Sequence, residues 1–196
     1  MAIQTALSVE VRKKLTPADV WQMIERGEID THERWFELIE GEIVDVPPAG
    51  PEGSETELGI GAALFLFARR TSGRAFGSSA GFMVGRNHQQ LRAPDASYVS
   101  PARLHTLESK PWADGAPDLA VEVLSEGQYG AAYAYGKVHE YFEAGAQLVW
   151  LVDRRQKEVR VYRAGSDEYA IYRNDAVLTL EPIASGFELR LSDIFR

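Results

Sequence analysis

Apolar residues recur at helical spacing in three stretches of the chain and at strand spacing in most of the rest. Thr16-Pro17-Ala18-Asp19 places a capping hydroxyl before a proline and a carboxylate, which predicts a helix running to about Gly27. Two β-prone runs from Trp35 to Val44 flank Glu40-Gly41 and predict a hairpin. A rigid loop through Pro47, Pro48, Gly50, Pro51 and Gly53 follows, and Ser54 with Glu57 forms an S-x-x-E capping box. That box predicts a second helix, ending near Arg70 and stopped by Gly73. The period then changes. Arg74 to Gly85 and Leu91 to Ser100 are predicted as strands about a polar Asn87–Gln90 turn. Leu119 to Leu124 is apolar on both faces except for one carboxylate, as in a central strand covered on both sides. A helix over Ala131 to Ala144, a stop at Gly145 and a buried strand from Gln147 to Val152 come next. The tail reads as hairpins: Glu158 to Arg163 with Glu168 to Arg173, then Val177 to Leu180 with Phe187 to Leu191.

The order is helix, three strands, helix, strand, with a helix and hairpin before it and hairpins after. A strand–helix–strand crossover requires a parallel pair, so the class is α/β with a mixed sheet. We expect one domain over 1–196, with its core at about 54–153.

Composition narrows the chemistry. The 196 residues are 45% apolar and 26% charged, carry a formal net charge of −8 and include no cysteine. Thiolate metal sites, disulfides and cysteine nucleophiles are therefore excluded, which fits a reducing, cytoplasmic setting. The longest uncharged apolar stretch, Leu58 to Ala68, is roughly half a membrane span, so no membrane association is expected. Met1 to Glu10 lacks the pattern of a signal peptide.

Glu122 is the central clue. An ionised carboxylate in the middle of a buried strand needs a cation, a metal or a proton. A salt bridge to a core Lys or Arg would suffice. Asp95 follows Pro94 at the start of the preceding strand, and if the two strands are neighbours, Asp95 and Glu122 can face each other around a hard divalent cation. A turn aspartate is the commoner role of a Pro-Asp pair. Lys137 lies on the flank of the next helix and can point back over the sheet, or pair at the surface with Glu140 or Glu143.

These residues carry a resemblance. Phe36-Glu37-Leu38-Ile39-Glu40-Gly41-Glu42-Ile43-Val44, Pro94-Asp95, Asp118 to Ser125, Lys137 to Gly145 and Val149 to Asp153 are similar to blocks of a large bacterial family of putative restriction endonucleases. That family belongs to the PD-(D/E)xK, restriction endonuclease-like superfamily. The resemblance runs from Thr16 to Phe195 with the blocks in order. It implies a core of helix, three strands, helix and strand, with a divalent-metal site at the strand ends. Asp95 and Glu122 would be metal ligands, joined by the main-chain carbonyl of Val123, with Mg²⁺ or Mn²⁺ as the metal. The superfamily lysine should stand at 124, where this chain has Leu124; Lys137 is the matching position in this family and would orient or activate the attacking water. Glu37 matches an acidic hairpin position and would complete the metal shell or pair with an arginine. Two positions depart from the family pattern: Gly53-Ser54-Glu55 stands where a histidine is common, and Glu126 where a proline is common.

Two other patterns lead nowhere. Gly77-Ser78-Ser79-Ala80-Gly81 fits G-x-S-x-G but lies between strands with no helix directly after it. His32, His88, His105 and His139 show no metal-ligand spacing.

A net charge of −8 opposes a polyanionic substrate. Its distribution is uneven, for no Asp or Glu lies between Glu57 and Asp95, while Arg69, Arg70, Arg74, Arg86 and Arg92 do. Arg69 and Arg70 fit a helix C-terminus. Arg74, Arg86 and Arg92 are expected to track a phosphate backbone. The leading expectation is a metal-dependent DNA endonuclease that hydrolyses phosphodiester bonds. The alternatives are a non-catalytic binding or regulatory protein that keeps the fold, and a metal-dependent hydrolase of a small nucleotide or phosphorylated substrate. A homodimer is expected because exposed edge hairpins invite pairing.

Overall fold

The computed structural model describes residues 14–31, 35–108, 111–125 and 131–195, with only the backbone of 131–134. His32 and Glu126 fall outside these residues. Helix α1 (Pro17–Glu25) starts as its sequence predicts: Thr16 and Asp19 cap each other reciprocally. Strands β1 (Phe36–Ile39) and β2 (Glu42–Asp45) pair antiparallel about Glu40 and Gly41. Both turn residues have positive φ, at 49° and 81°. A Cβ at Gly41 would also lie 2.5 Å from the Lys14 Cβ, so glycine is required there twice over.

Helix α2 (Pro51–Thr71) begins three residues before the predicted capping box. Gly50 is the N-cap and makes no side-chain cap bond; Pro51 occupies the first helical position, where its fixed φ and missing N–H cost nothing. Ser54 is already inside the helix, its N–H donating to Gly50 O.

The two predicted long strands are each broken in two. β3 (Arg74–Gly77) and β4 (Phe82–Val84) are separated by the 78–81 segment, and β5 (Gln90–Arg92) and β6 (Ala96–Val99) by 93–95. β3 pairs with β6 and β4 with β5, so the four form one bent hairpin. Its register slips by one residue at the bend, from Gly77 opposite Ala96 to Phe82 opposite Arg92, which is the signature of a bulge. Pro94 cannot donate to a ladder, and the bend falls there. The G-x-S-x-G match is the other side of this bend, a turn with no helix after it.

Beyond the bend a 3-10 segment (Pro101–Glu108) and a short β7 (Ala113–Asp114) precede β8 (Leu119–Val123). Then come α3 (Ala131–Glu143), β9 (Leu148–Asp153), β10 (Glu158–Arg163) and β11 (Tyr169–Arg173). The chain closes with β12 (Val177–Leu178), β13 (Leu189–Arg190) and a one-turn helix α4 (Leu191–Ile194). The main sheet has the order β11-β10-β9-β8-β6-β3, and the second sheet β2-β1-β5-β4-β7. The fold is therefore mixed α/β as predicted: α3 connects β8 to the parallel β9, and β6 runs antiparallel to β8.

Strand alternation divides the core. Leu119, Val121, Val123, Trp150 and Val152 pack with Ile60, Leu64 and Phe67 of α2. Ala120, Val149 and Leu151 pack on the other face with Val138 and Tyr141 of α3 and with Phe82 and Val84 of the second sheet. Glu122, at an even position of β8, belongs to this second face. No helix among the described residues is long and apolar enough to cross a membrane.

Candidate active site

The β6–β8 register sets the two sequence-predicted carboxylates side by side. Ala96, the first residue of β6, pairs with Val121, which brings Asp95, just before the strand, to the Glu122–Val123 end of β8. Asp95 comes at the end of the bend, and its Oδ2 accepts the Val123 N–H at 2.6 Å. This backbone bond fixes the carboxylate at the rim of β8. Glu122 is 5% exposed and is held from α3: Lys137 Nζ lies 2.6 Å from its Oε2, and Tyr141 OH donates to its Oε1 at 2.5 Å. Lys137 and Tyr141 are four residues apart, one turn of helix, and so share a face.

Lys137 also approaches Glu37 Oε1, at 3.6 Å. Glu37 in turn accepts from Arg92 Nη1 at 2.7 Å and from the Ala93 N–H at 3.4 Å. Arg92 completes the chain with a bidentate pair to Glu140, at 2.7 and 3.0 Å. The result is a continuous buried network, Glu140–Arg92–Glu37–Lys137–Glu122–Tyr141, which ties the second sheet to α3 beneath the main sheet.

Several expectations change here. Glu37 shares its strand face with Trp35 and Val44, yet those are 58% and 40% exposed while Glu37 is 6% exposed. Of the two roles left open for it, Arg92 supplies the arginine partner. Lys137 pairs with Glu122, not with Glu140 or Glu143 at the surface, because Glu140 is taken by Arg92. Arg92 itself does not fit a phosphate-tracking role: it is 3% exposed, with Glu37 and Glu140 occupying its donors. Arg86 is exposed, 3.5 Å from Glu143, at the tip of the bent hairpin. Arg74 is exposed at the end of β3 away from the bend. The three arginines thus do not form one stripe.

The electrostatics follow from burial. Asp95 is pushed up to about 8, by desolvation first and then by the neighbouring Glu122 carboxylate. Burial also raises Glu122, against the opposing pull of Lys137. Desolvation raises Glu37 too, but Lys137 and Arg92 outweigh it and hold the group below the usual carboxylate range. Burial and the Glu122 charge push the Tyr141 phenol well above its ordinary value, so it remains a donor.

Two residues that no sequence motif marks also contribute to the site. Tyr141 lies in the apolar stripe of α3, and its four-residue spacing from Lys137 is the sequence signal that puts both on one face. Glu57 of α2 is not a capping residue, since the helix starts at Pro51; it sits half-buried, raised by desolvation and by Glu122, in a groove of about 440 Å³ between α2 and β3 that ends at Asp95. Among the described residues no three His, Asp or Glu side chains converge closely enough to cage a metal ion.

With this geometry in view, comparison with known proteins is decisive for the family. Residues 21–192 match the Uma2 family, described as "Putative restriction endonuclease". The chain belongs to that family. A solved structure of a protein from Anabaena variabilis ATCC 29413, titled a putative nuclease belonging to DUF820, superposes with a TM-score of 0.69. It is 22% identical, and the match covers 88% of this chain and 96% of that one, so the likeness extends to the whole fold. Comparison with curated proteins finds no match.

Proposed function

We propose that this member of the restriction endonuclease family is a Mg²⁺- or Mn²⁺-dependent hydrolase of DNA phosphodiester bonds. The observation that carries the reading is the placement of Asp95 beside Glu122 at the rim of the main sheet, with Lys137 on Glu122. The donor set suits a hard cation. Asp95, Glu122, Glu57, Glu37 and Glu140 set five carboxylates against two buried cations, Arg92 and Lys137, and the raised Asp95 and Glu122 mark where positive charge is short. Mg²⁺ is commonly held by only one or two carboxylates plus water and substrate phosphate, so a two-carboxylate seat is sufficient.

In this reading Asp95 and Glu122 hold the metal, with the Val123 carbonyl as a further ligand. When bound, the metal would polarise the scissile phosphate and lower the pKa of the attacking water. Lys137 orients that water from the α3 side and offsets charge developing on the phosphate. Glu37, fixed by Arg92, holds Lys137 from behind. Arg86 and Arg74 contact backbone phosphates, and Arg92 does not.

One observation favours a second reading. Both oxygens of Glu122 already have donors in Lys137 and Tyr141, as in a structural ion pair of a fold-retaining, non-catalytic binder. Cleavage of plasmid and linear DNA with Mg²⁺ or Mn²⁺, in the wild type and in Asp95→Asn and Glu122→Gln, separates the two. The nuclease reading expects a loss of about 10²-fold or more in both variants with folding intact. An inactive wild type, or equal activity in all three, overturns it.

A further inference from the structure

Among the described residues four buried side-chain polar atoms lack a hydrogen-bond partner, and two of them, Nε and Nη1, belong to Arg154. The side chain is only 18% exposed. Its one ion-pair contact among these residues is from Nη2 to Glu52 Oε2, 3.4 Å away, on a glutamate that is itself 87% exposed. A guanidinium so placed is costly, because a buried donor without an acceptor loses its hydration and gains nothing in return. Arg92, Arg103 and Arg160, the comparably placed arginines, are each met by carboxylates or carbonyls of the fold. Arg154 directly follows Asp153, the last residue of β9. Val152 lies opposite Val123 in the parallel β8–β9 ladder, so Arg154 stands one strand over and two residues further on, its Cα about 8 Å from that of Val123. It has the strand parity of Trp150 and Val152, which pack under α2, and Glu52 belongs to the first turn of that helix. Asp95 accepts the Val123 N–H, so the guanidinium and the candidate metal seat border the same end of the sheet.

We infer that Arg154 is the seat for a phosphodiester of the bound strand, the one next to the scissile phosphate, and that Glu52 holds its place until the strand arrives. On the nuclease reading of Asp95 and Glu122, on which this rests, Arg154 positions the strand that the metal site cuts. Nε and Nη2 form one edge of the guanidinium, an edge that takes an oxyanion through two parallel hydrogen bonds. Glu52 meets that edge with one oxygen at long range and leaves Nε empty. An exposed carboxylate held in this way contributes little, so a phosphate that uses both donors displaces it readily. The surroundings favour a phosphate within a strand over a free anion. Glu52, Glu57 and Asp95 gather carboxylates at this end of the molecule and repel a small anion arriving alone. A strand whose scissile phosphate is anchored at the metal presents the neighbouring phosphate to Arg154 at high effective concentration.

Binding of a labelled oligonucleotide to the full chain, followed by fluorescence anisotropy with Ca²⁺ in place of Mg²⁺ from 50 to 200 mM salt, tests the seat apart from cleavage. Arg154→Gln should weaken binding about tenfold and lower its slope against salt by about one. Glu52→Gln should tighten binding about threefold, and only while Arg154 is present; in the double variant it should change nothing. Arg154→Lys should keep the slope and recover only part of the affinity, because an ammonium lacks the two-donor edge. Arg154→Gln should also melt no lower than the wild type, since the substitution removes orphaned donors. Replacing one phosphate at a time by an uncharged methylphosphonate locates the contact: at the linkage next to the cleaved one, Arg154→Gln should lose the wild type's response. An unchanged salt slope in Arg154→Gln, a Glu52→Gln effect that survives without Arg154, a lower melting temperature, or a full methylphosphonate response in Arg154→Gln would each overturn the proposal. So would a wild type that binds no oligonucleotide. A wild type that binds with these couplings yet cleaves no DNA overturns the nuclease reading and leaves the phosphate seat standing.

Discussion

Lys137 Nζ lies 2.6 Å from Glu122 Oε2, although the lysine comes from α3 and the carboxylate from the middle of β8. In the superfamily pattern the lysine stands two residues after the acid on the same strand, at the position of Leu124. Here Leu124 is 5% exposed and its N–H continues the ladder to Val152. The charge is delivered instead across the sheet face by a helix that must pass over β8 to reach β9. The ammonium therefore arrives at the same carboxylate from a different covalent origin, and Tyr141, one turn further along α3, arrives with it.

The pair should be worth more broken than whole. Lys137→Met leaves Glu122 with Tyr141 as its only side-chain donor among the described residues, in a nearly dry site, and should destabilise by about 3 kcal/mol in urea unfolding. The double variant Lys137→Met, Glu122→Gln removes the orphaned charge and should recover most of that loss, because a neutral amide still accepts from Tyr141. A Lys137→Met protein within 0.5 kcal/mol of the wild type (about a twofold change in folding equilibrium) would show that the ammonium is not what holds Glu122.

Stability should fall as pH rises through neutrality. Folded Asp95 keeps its proton up to about 8, whereas an unfolded aspartate has lost it by about 4. The folded state thus binds more protons across that window, so unfolding free energy decreases from about pH 4 to pH 8. Glu122, also raised, adds in the same sense. Glu37, lowered by Lys137 and Arg92 against its burial, acts in the opposite sense and only below the ordinary glutamate range. Metal-free protein should therefore melt higher at pH 5.5 than at pH 8, and Asp95→Asn should flatten the difference. An unchanged slope in that variant would remove Asp95 as its source.

What the sequence made legible is what depends on local rules. The Thr16 capping box, the Glu40-Gly41 turn, the buried β8 with its single carboxylate and the α3 crossover are all written in a few adjacent residues, and all stand in the structure. The pairing of Asp95 with Glu122 was conditional on two strands being neighbours, and that condition is met. The split of the long hairpin was not legible, because Gly77 to Gly81 and Pro94 read equally as a turn signal and as a strand irregularity. The burial of Arg92 is not legible for a related reason. Strand alternation tells which residues share a face, but not which face a second sheet and a helix will cover, and the covered face of β5 belongs to Glu37 and Glu140.

That burial separates two arginines which the sequence placed together. Arg92→Met would take the guanidinium from Glu140 and leave Glu37 with the more distant Lys137, and should destabilise by roughly 3–5 kcal/mol. The salt dependence of DNA binding by the molecules that remain folded should be that of the wild type. Arg86→Ala should do the reverse: stability within about 0.5 kcal/mol, since its contact with Glu143 is a long surface pair, and a DNA-binding slope against salt smaller by about one. Binding measured from 50 to 200 mM salt decides the matter, and a slope unaltered in Arg86→Ala would take that residue out of the phosphate contacts.

Metal binding should release protons in proportion to how much of Asp95 and Glu122 is protonated beforehand. With Asp95 near 8, that carboxyl is largely protonated at pH 6.5, and a divalent cation must displace its proton to gain it as a carboxylate ligand. Apparent Mn²⁺ affinity should accordingly rise by close to tenfold per pH unit between about 6 and 7.5 and level off above about 8. Calorimetry in two buffers of different ionisation enthalpy counts the protons directly: about one or more per Mn²⁺ at pH 6.5, and fewer at pH 8.5. Asp95→Asn should lose the pH dependence assigned to that residue together with most of the affinity. Proton-free binding at pH 6.5 in the wild type would mean that the cation is held elsewhere.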